Sequence, residues 1–244
     1  MTGLPTVPPA LPCRMHPSNG PQLRLRSIEG PSCRLSRREL LIGAASLAIP
    51  ALPPLAAASA SLIVTPGQTE GPFYPVKLPP DMDADLVRVQ GQATQAVGRV
   101  THVSGRVLDK RGGIVKGAML EIWQCDANGI YNHPGDNGQK RRDAAFQGYG
   151  RTSVDDEGRY AFRTIRPVAY PGRTPHIHFK VHAPAAGRLT TQMYVAGEPQ
   201  NARDGVLRSI RDAKARESVI VPLLAAGEIE PGALKGTFDI VLDL

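Results

Sequence analysis

The chain has 244 residues, with 25 glycines, 23 prolines, 5% aromatic residues and a net charge of +7. So many turn formers suit an all-β domain with loops better than a helical bundle. Six arginines and two glutamates fall within the first 60 residues, so the remainder carries only +3, which gives nucleic-acid binding little support without a clustered basic face.

Residues 1–60 stand apart from the rest. Ser36-Arg37-Arg38-Glu39-Leu40-Leu41 opens an Ala-rich apolar run that ends in Ala56-Ala57-Ala58-Ser59-Ala60, an A-x-A type of cleavage site. Paired arginines before a mildly apolar core are similar to a twin-arginine export signal. Pro50, Pro53 and Pro54 leave the run short for a span, so no stable membrane segment is expected after cleavage. The expectation is an exported protein, periplasmic or secreted, cleaved near Ala60. Cys13 and Cys33 belong to the leader, and Cys125 alone remains, which leaves no internal disulfide and makes a packed thiol the default.

Residues 61–97 read as an irregular N-terminal arm. Thr65 to Pro75 holds three prolines and two glycines, which excludes helix or central strand. Phe73 and Tyr74 need a surface to pack on, in this subunit or a neighbour. A homo-oligomer whose second subunit completes a pocket therefore stays open. From residue 98 the pattern is that of one β-sandwich domain with a single helical excursion. Thr101–Leu108 alternates and stops at the Asp109–Gly113 turn. Ala118–Cys125 is a second strand with Trp123 as its largest side chain, read as core. Gly148–Val154 and Arg159–Ile165 read as a hairpin around Asp155–Gly158. Leu189–Val195 and Thr237–Leu244 complete the strands, and residues 201–218 are expected to hold one short helix through Val206, Ile210 and Ala213. Tyr160 and Tyr194 read as core or sheet tyrosines. No Gly-rich phosphate loop, zinc-type Cys pair or Gly-x-Ser-x-Gly elbow is present.

The central stretch is Tyr170-Pro-Gly-Arg-Thr-Pro-His-Ile-His-Phe-Lys-Val181. In a strand starting at His176, side chains alternate faces, so His176 and His178 point the same way at a spacing suited to one metal ion. The alternative is a solvated face with two imidazoles. Pro171-Gly172 can fold Tyr170 back toward the strand, and Arg173 could set a fixed positive charge beside the metal or simply pair with a surface acid. His182 near the strand end, and His102 and His133, read as surface or solvated side chains.

With these pieces placed, the sequence resembles the intradiol ring-cleavage dioxygenases, non-haem iron(III) enzymes that open catechol rings, closest to the protocatechuate 3,4-dioxygenase beta-subunit type. The resemblance is carried by Gln68-Thr-Glu-Gly-Pro72, Leu120-Glu-Ile-Trp-Gln-Cys-Asp-Ala-Asn-Gly-Ile-Tyr131, Gly150-Arg-Thr-Ser-Val-Asp-Asp-Glu-Gly-Arg-Tyr160, Ile165-Arg-Pro with Tyr170-Pro, Arg173-Thr-Pro-His-Ile-His-Phe179 and Leu189-Thr-Thr-Gln-Met-Tyr194. It implies an Fe(III) site of two tyrosinates and two histidines, here Tyr131, Tyr170, His176 and His178, with Tyr170 and His178 axial. A trivalent cation explains the ligand types, since it ionises a phenol whose pKa is about 10 in water. The implied reaction joins O2 to a small aromatic diol and opens the ring between the two hydroxyl-bearing carbons, giving a cis,cis-muconate-type diacid. In it Tyr170 leaves the metal and takes a substrate proton. Arg173 matches an arginine that stabilises charge on the ring, and Gln192 a glutamine near the metal. Gln68, Thr69, Gly71 and Tyr74 match an arm that borders the substrate cavity. One departure is that His176 follows Tyr170 by only six positions, with Pro171-Gly172 in place of a Pro-Trp pair, so a pocket that is wider or differently walled is expected. The resemblance implies a prealbumin-like sandwich, and two other classes stay open: a non-catalytic exported carrier or surface module that keeps this sandwich and binds through its loops, and a metal hydrolase or oxygenase with zinc or Fe(II) at the histidine pair.

Overall fold

The computed structural model describes residues 61–184 and 186–244. The expected leader and its twin-arginine signal, residues 1–60, lie outside the described residues. Among the described residues, ten strands form two mixed five-stranded sheets, with two short α-helices between the sixth and seventh strands. The all-β sandwich expected from the sequence is the observed architecture.

The first sheet is built around β1 (Val100–Asp109). Between β1 and the second sheet's strands β2 (Met119–Trp123) and β3 (Tyr149–Ser153), the chain passes the Asp109 turn, whose carboxylate accepts from the Arg111 and Gly113 amides. β4 (Arg159–Ile165) runs antiparallel to β1 from Val100↔Ile165 to Arg106↔Arg159. β5 (His176–Ala183) pairs with β2 on one side and with β6 (Gly187–Val195) on the other, both antiparallel. After β6 come α1 (Gly205–Ser209), α2 (Ala213–Ser218) and β7 (Ile220–Val221), which closes the second sheet beside β6. β8 (Leu224–Ala225), β9 (Leu234–Thr237) and β10 (Ile240–Leu242) return to the first sheet, where β9 and β10 both lie parallel to β1.

Three local expectations are corrected. The segments flanking Asp155–Gly158 do not form a hairpin, because β3 pairs with β2 in one sheet and β4 with β1 in the other. The turn itself is tight, with Asp155 Oδ1 accepting from the Arg159 amide at 2.8 Å, but it carries the chain from one sheet to the other. The single expected helix is two. Asp204 and Asp212 each cap a new start, and Ile210 between them adopts an extended conformation. The closing strand is also divided, into β9 and β10.

Between the sheets lies an apolar core. Ile177, Phe179 and Val181 of β5 meet Leu120 and Ile122 of β2, together with Val103, Phe162 and Phe238 from the first sheet's side. Phe179 packs edge-on against Phe162 and Phe238 at centroid distances of 6.4 and 5.2 Å. Alternation along β5 therefore sends His176, His178, Lys180 and His182 to the opposite face. All but His182 are buried there as well.

The cover for that second face is the arm. It contains no helix or regular strand and docks on its own chain. Thr65 pairs with Val241 through both backbone and hydroxyl, and the Gln68 amide donates to the Thr190 carbonyl at 2.8 Å. Glu70 reaches Lys180 Nζ at 2.5 Å, and the Tyr74 hydroxyl donates to Glu121 Oε2 at 2.7 Å. Asp85 forms an ion pair with Arg163 at 2.9 Å. Among the described residues, no helix is long and apolar enough to cross a membrane.

A Cβ on Gly105 would lie 2.0 Å from the Phe238 carbonyl oxygen, so β1 and the β9–β10 connection touch backbone to backbone. Gly105→Ala should cost about 1–3 kcal/mol through forced displacement. Urea unfolding would read this as a lower midpoint at unchanged slope. A midpoint equal to that of the parent protein would contradict the close approach.

Candidate functional site

Four side chains meet at one end of the second sheet. His176 and His178 bring their Nε2 atoms to 3.2 Å of each other, buried at the start of β5. His176 Nδ1 lies 2.6 Å from the Thr174 carbonyl, which must accept, so that nitrogen carries the proton and Nε2 keeps its lone pair. Trp123, the cross-strand partner of His178, stacks flat on its ring at 4.7 Å and 10°.

Tyr131 enters from the loop after β2. Asp126 shapes that loop by accepting from the Asn128 and Ile130 amides, and the Tyr131 amide donates to Asp136 Oδ2 at 2.9 Å. Its ring stacks on Phe73 of the arm at 4.8 Å and meets Tyr170 edge-on at 5.5 Å. The Tyr131 hydroxyl is buried with no partner that meets hydrogen-bond geometry. Tyr170 is presented by a four-residue turn in which the Arg173 amide donates to the Tyr170 carbonyl at 2.9 Å. Pro171 occupies the second turn position, and Gly172, at φ +81°, supplies the left-handed conformation that the third position needs. The Tyr170 ring comes to 5.5 Å from His176.

Arg173 sits beside them with its donors fanned out. Nε donates to Asp204 Oδ2 at 2.8 Å, one terminal nitrogen donates to Gln192 Oε1 at 2.6 Å, and the other reaches the Tyr170 hydroxyl in a long 3.5 Å contact. Gln192 is held in turn by the arm, donating from Nε2 to the Thr69 carbonyl at 2.9 Å and accepting from Tyr194 at 3.0 Å.

Burial keeps all four central groups neutral in the absence of a cation. It pushes the Tyr131 phenol well up, with the neighbouring Cys125 and Tyr170 adding to the shift. It also raises Tyr170, against which the Arg173 guanidinium works. His178 is driven well down by burial, then by His176 and Arg173. An orphaned buried phenol, a second phenol and two facing imidazole nitrogens fit a cation charged enough to ionise oxygen donors. Among the described residues no three His, Cys, Asp or Glu side chains group as a metal site, so a set without the tyrosines is incomplete and does not suit zinc.

A family model described as Dioxygenase matches residues 69–244. The chain is also 39% identical over 169 residues to the protocatechuate 3,4-dioxygenase beta chain of Burkholderia cepacia, covering 66% of this chain and 72% of that one. It belongs to the intradiol ring-cleavage dioxygenase family. The catechol 1,2-dioxygenase of Candida albicans is 34% identical over 122 residues, and the match spans 43% of this chain and 39% of that protein's length. Among solved structures, the dioxygenase domain of a dioxygenase–carbohydrate-binding protein fusion from Streptomyces sp. SirexAA-E aligns at a TM-score of 0.56 and 33% identity, covering 75% of this chain and 99% of that one. An intradiol ring-cleavage dioxygenase from Tetranychus urticae shares the fold at a TM-score of 0.58.

The intradiol resemblance read from sequence singled out ten residues, and most of them converge. Gln68, Thr69 and Gly71 border the site. Gln68 donates to the Tyr194 hydroxyl at 2.9 Å, and a Cβ on Gly71 would lie 3.5 Å from the His178 ring. Tyr74 is not among the four central side chains, because its hydroxyl is engaged by Glu121 and Lys180 Nζ sits 3.4 Å above its ring. The histidines read as solvated are engaged as well. His182 Nε2 lies 2.8 Å from Glu121 Oε1 and His102 Nε2 lies 3.2 Å from Glu230 Oε2, while His133 Nδ1 accepts from the Gly135 amide. Cys125 is the packed thiol expected, raised to about 12 by burial. Sequence reasoning missed Asp204, the stacking of Trp123 on His178, and the Tyr194 hydroxyl. Asp204 did leave a trace, since Asp before Gly-Val-Leu is a helix-capping pattern, but nothing local tied it to Arg173.

His176 is lowered from 6.5 to about 4 by burial and then by Arg173. As pH falls, the unfolded chain binds this proton first, so the metal-free protein should lose stability from about 6.5 down to about 4. Urea midpoints at pH 7, 6 and 5 measure the slope, which should flatten in His176→Gln. Equal slopes in both proteins would mean that His176 is not held neutral by the fold.

Proposed function

We propose that this protein is a ferric intradiol dioxygenase that opens a catechol-type ring between its hydroxyl-bearing carbons with O2, giving a cis,cis-muconate-type diacid. The observation that carries the reading is the meeting of the Tyr131 and Tyr170 phenols with the two imidazole nitrogens of His176 and His178. Fe(III) held by these four would act as the Lewis acid that binds the diol oxygens and withdraws electron density from the ring.

The protein's own groups divide the remaining work. Tyr131 is buried and clamped by Phe73, whereas Tyr170 is only half-buried on an exposed turn. Tyr170 is therefore the phenolate free to turn aside and accept a proton from the incoming diol. Arg173, held between Asp204 and Gln192, is positioned to stabilise negative charge that develops on the substrate. Trp123 and Phe73 close off the inner side and keep water from the buried phenol.

The short turn also bears on substrate choice. A Cβ on Gly172 would meet nothing within 4 Å, so the wall carried there is low and open to solvent. This supports a catechol that is bulkier, or that lacks a ring carboxylate, as well as protocatechuate itself. The arm packs on its own subunit, so a neighbour is not needed to cover the histidine face. The paired arginines near the N-terminus support export of the folded protein.

Iron-loaded protein should be red-brown from tyrosinate-to-iron charge transfer, with a band that moves to longer wavelength on anaerobic addition of catechol. A catechol panel with oxygen-electrode detection then ranks substrates. A colourless protein that binds iron but ignores catechol would sink the proposal. Tyr170→Phe should weaken the colour and slow turnover by about 10²-fold or more while leaving the unfolding free energy within about 1 kcal/mol of the parent protein's. Unchanged colour and rate would remove Tyr170 from the ligand set.

A further inference from the structure

Asp204 has been named so far only as one neighbour of Arg173, yet its carboxylate accepts four hydrogen bonds beside the site. Its side chain is fully buried, and it lies 31 residues after Arg173 in sequence. Oδ1 accepts from the Val206 and Leu207 amides at 3.0 and 2.9 Å. Oδ2 accepts from the Thr174 amide at 3.0 Å and from Arg173 Nε at 2.8 Å. Four donors fill the four lone-pair positions of a carboxylate, so it has no freedom to rotate. Burial alone would raise its pKa, but the backbone donors and Arg173 together hold the carboxyl below its usual value.

This matters for Arg173 because a guanidinium is planar. Fixing Nε and one terminal nitrogen fixes the direction in which the other terminal nitrogen points. Here Asp204 takes Nε, Gln192 takes one terminal nitrogen, and the remaining one is directed at the Tyr170 hydroxyl. Gln192 cannot do this alone, because an amide on a strand offers a single contact and no charge. The same carboxylate leaves the charge of Arg173 in place while occupying only the donor farthest from the guanidinium tip.

We propose that Asp204 is a positioning residue for the ring-opening reaction. It orients Arg173 so that the tip of the guanidinium faces Tyr170 and the bound aromatic diol. This rests on the ferric dioxygenase reading for its catalytic consequence, but the orientation itself can be observed without turnover.

The test compares Asp204→Asn, Arg173→Ala and the double variant, made in the full chain. Asp204→Asn keeps an oxygen for the helix cap and puts an amide nitrogen where Oδ2 accepted from Arg173 Nε and from the Thr174 amide, so both bonds are lost together. It should lower kcat about 10- to 100-fold, the range seen when a partner of a site residue is removed. Iron content, the tyrosinate band and anaerobic catechol affinity should stay within about threefold of the parent protein. In the Arg173→Ala background the same change should cost nothing further in kcat, because a residue that acts through another has no effect once that other is gone. Loss of iron, or an equal loss of kcat in both backgrounds, would overturn the proposal and assign Asp204 to the backbone of Thr174 instead.

A second readout does not depend on catalysis. In protein loaded with diamagnetic gallium(III), the Arg173 Nε–H resonance should be protected from solvent exchange and should lose that protection in Asp204→Asn. A resonance unchanged by the substitution would overturn the proposal even if no catechol is ever consumed. Failure of the parent protein to consume any catechol, with the resonance behaving as expected, would count against the activity and not against the positioning.

Discussion

Strand β5 must be buried on both faces at once, and the rest of the structure follows from that requirement. Its Ile177, Phe179 and Val181 fill the space between the sheets, so its other face necessarily carries His176, His178 and Lys180. Polar side chains in such a place need partners or a ligand, since an uncompensated buried polar group costs roughly 1–3 kcal/mol. The arm supplies the cover and part of the compensation. It brings Glu70 to Lys180 and Tyr74 to Glu121, and leaves the imidazole pair facing the two phenols.

The division of that face into two halves is physically sharp. Around Lys180 every charge has a counter-charge or an aromatic ring within reach, with Glu70 at 2.5 Å and the Tyr74 ring at 3.4 Å. Around His178 the balance is left open. Among the described residues, neither its Nδ1 nor the buried Tyr131 hydroxyl has a partner that meets hydrogen-bond geometry. Trp123 separates the halves, stacked on His178 on one side and 5.6 Å from Lys180 Nζ on the other. A protein that satisfies one buried polar cluster and leaves the adjacent one incomplete concentrates its unsatisfied donors where a cation can collect them.

Arg173 adds a fixed positive charge to this incomplete cluster without filling it. Its charge is balanced from behind by Asp204, so the half-buried guanidinium is tolerated. It also helps to hold the imidazoles neutral, since protonating either one would place a second positive charge beside it. Neutral imidazoles and protonated phenols are the states from which a trivalent metal would gather these ligands by releasing protons only from oxygen.

Much of this was legible in the chain before any coordinates. Period-two alternation at His176–Val181 gives the facing of the histidines, because a strand allows no other arrangement of those side chains. Pro171-Gly172 foretells the turn that returns Tyr170, since proline presets the second turn position and glycine takes the positive φ of the third without steric cost. The motifs after Trp123 and around Arg173 carried the family. Tertiary structure alone decided the rest. The turn at Asp155–Gly158 looks locally like a hairpin, and only the competition for pairing partners sends β3 and β4 to different sheets. Ile210 fits a helical period, yet two capping aspartates start two helices instead. Asp204 reaches Arg173, Glu121 reaches His182, and the arm reaches Gln192 across large sequence separations. Local propensity is silent about such contacts, because burial in the assembled fold, not chain proximity, selects which polar groups must find one another.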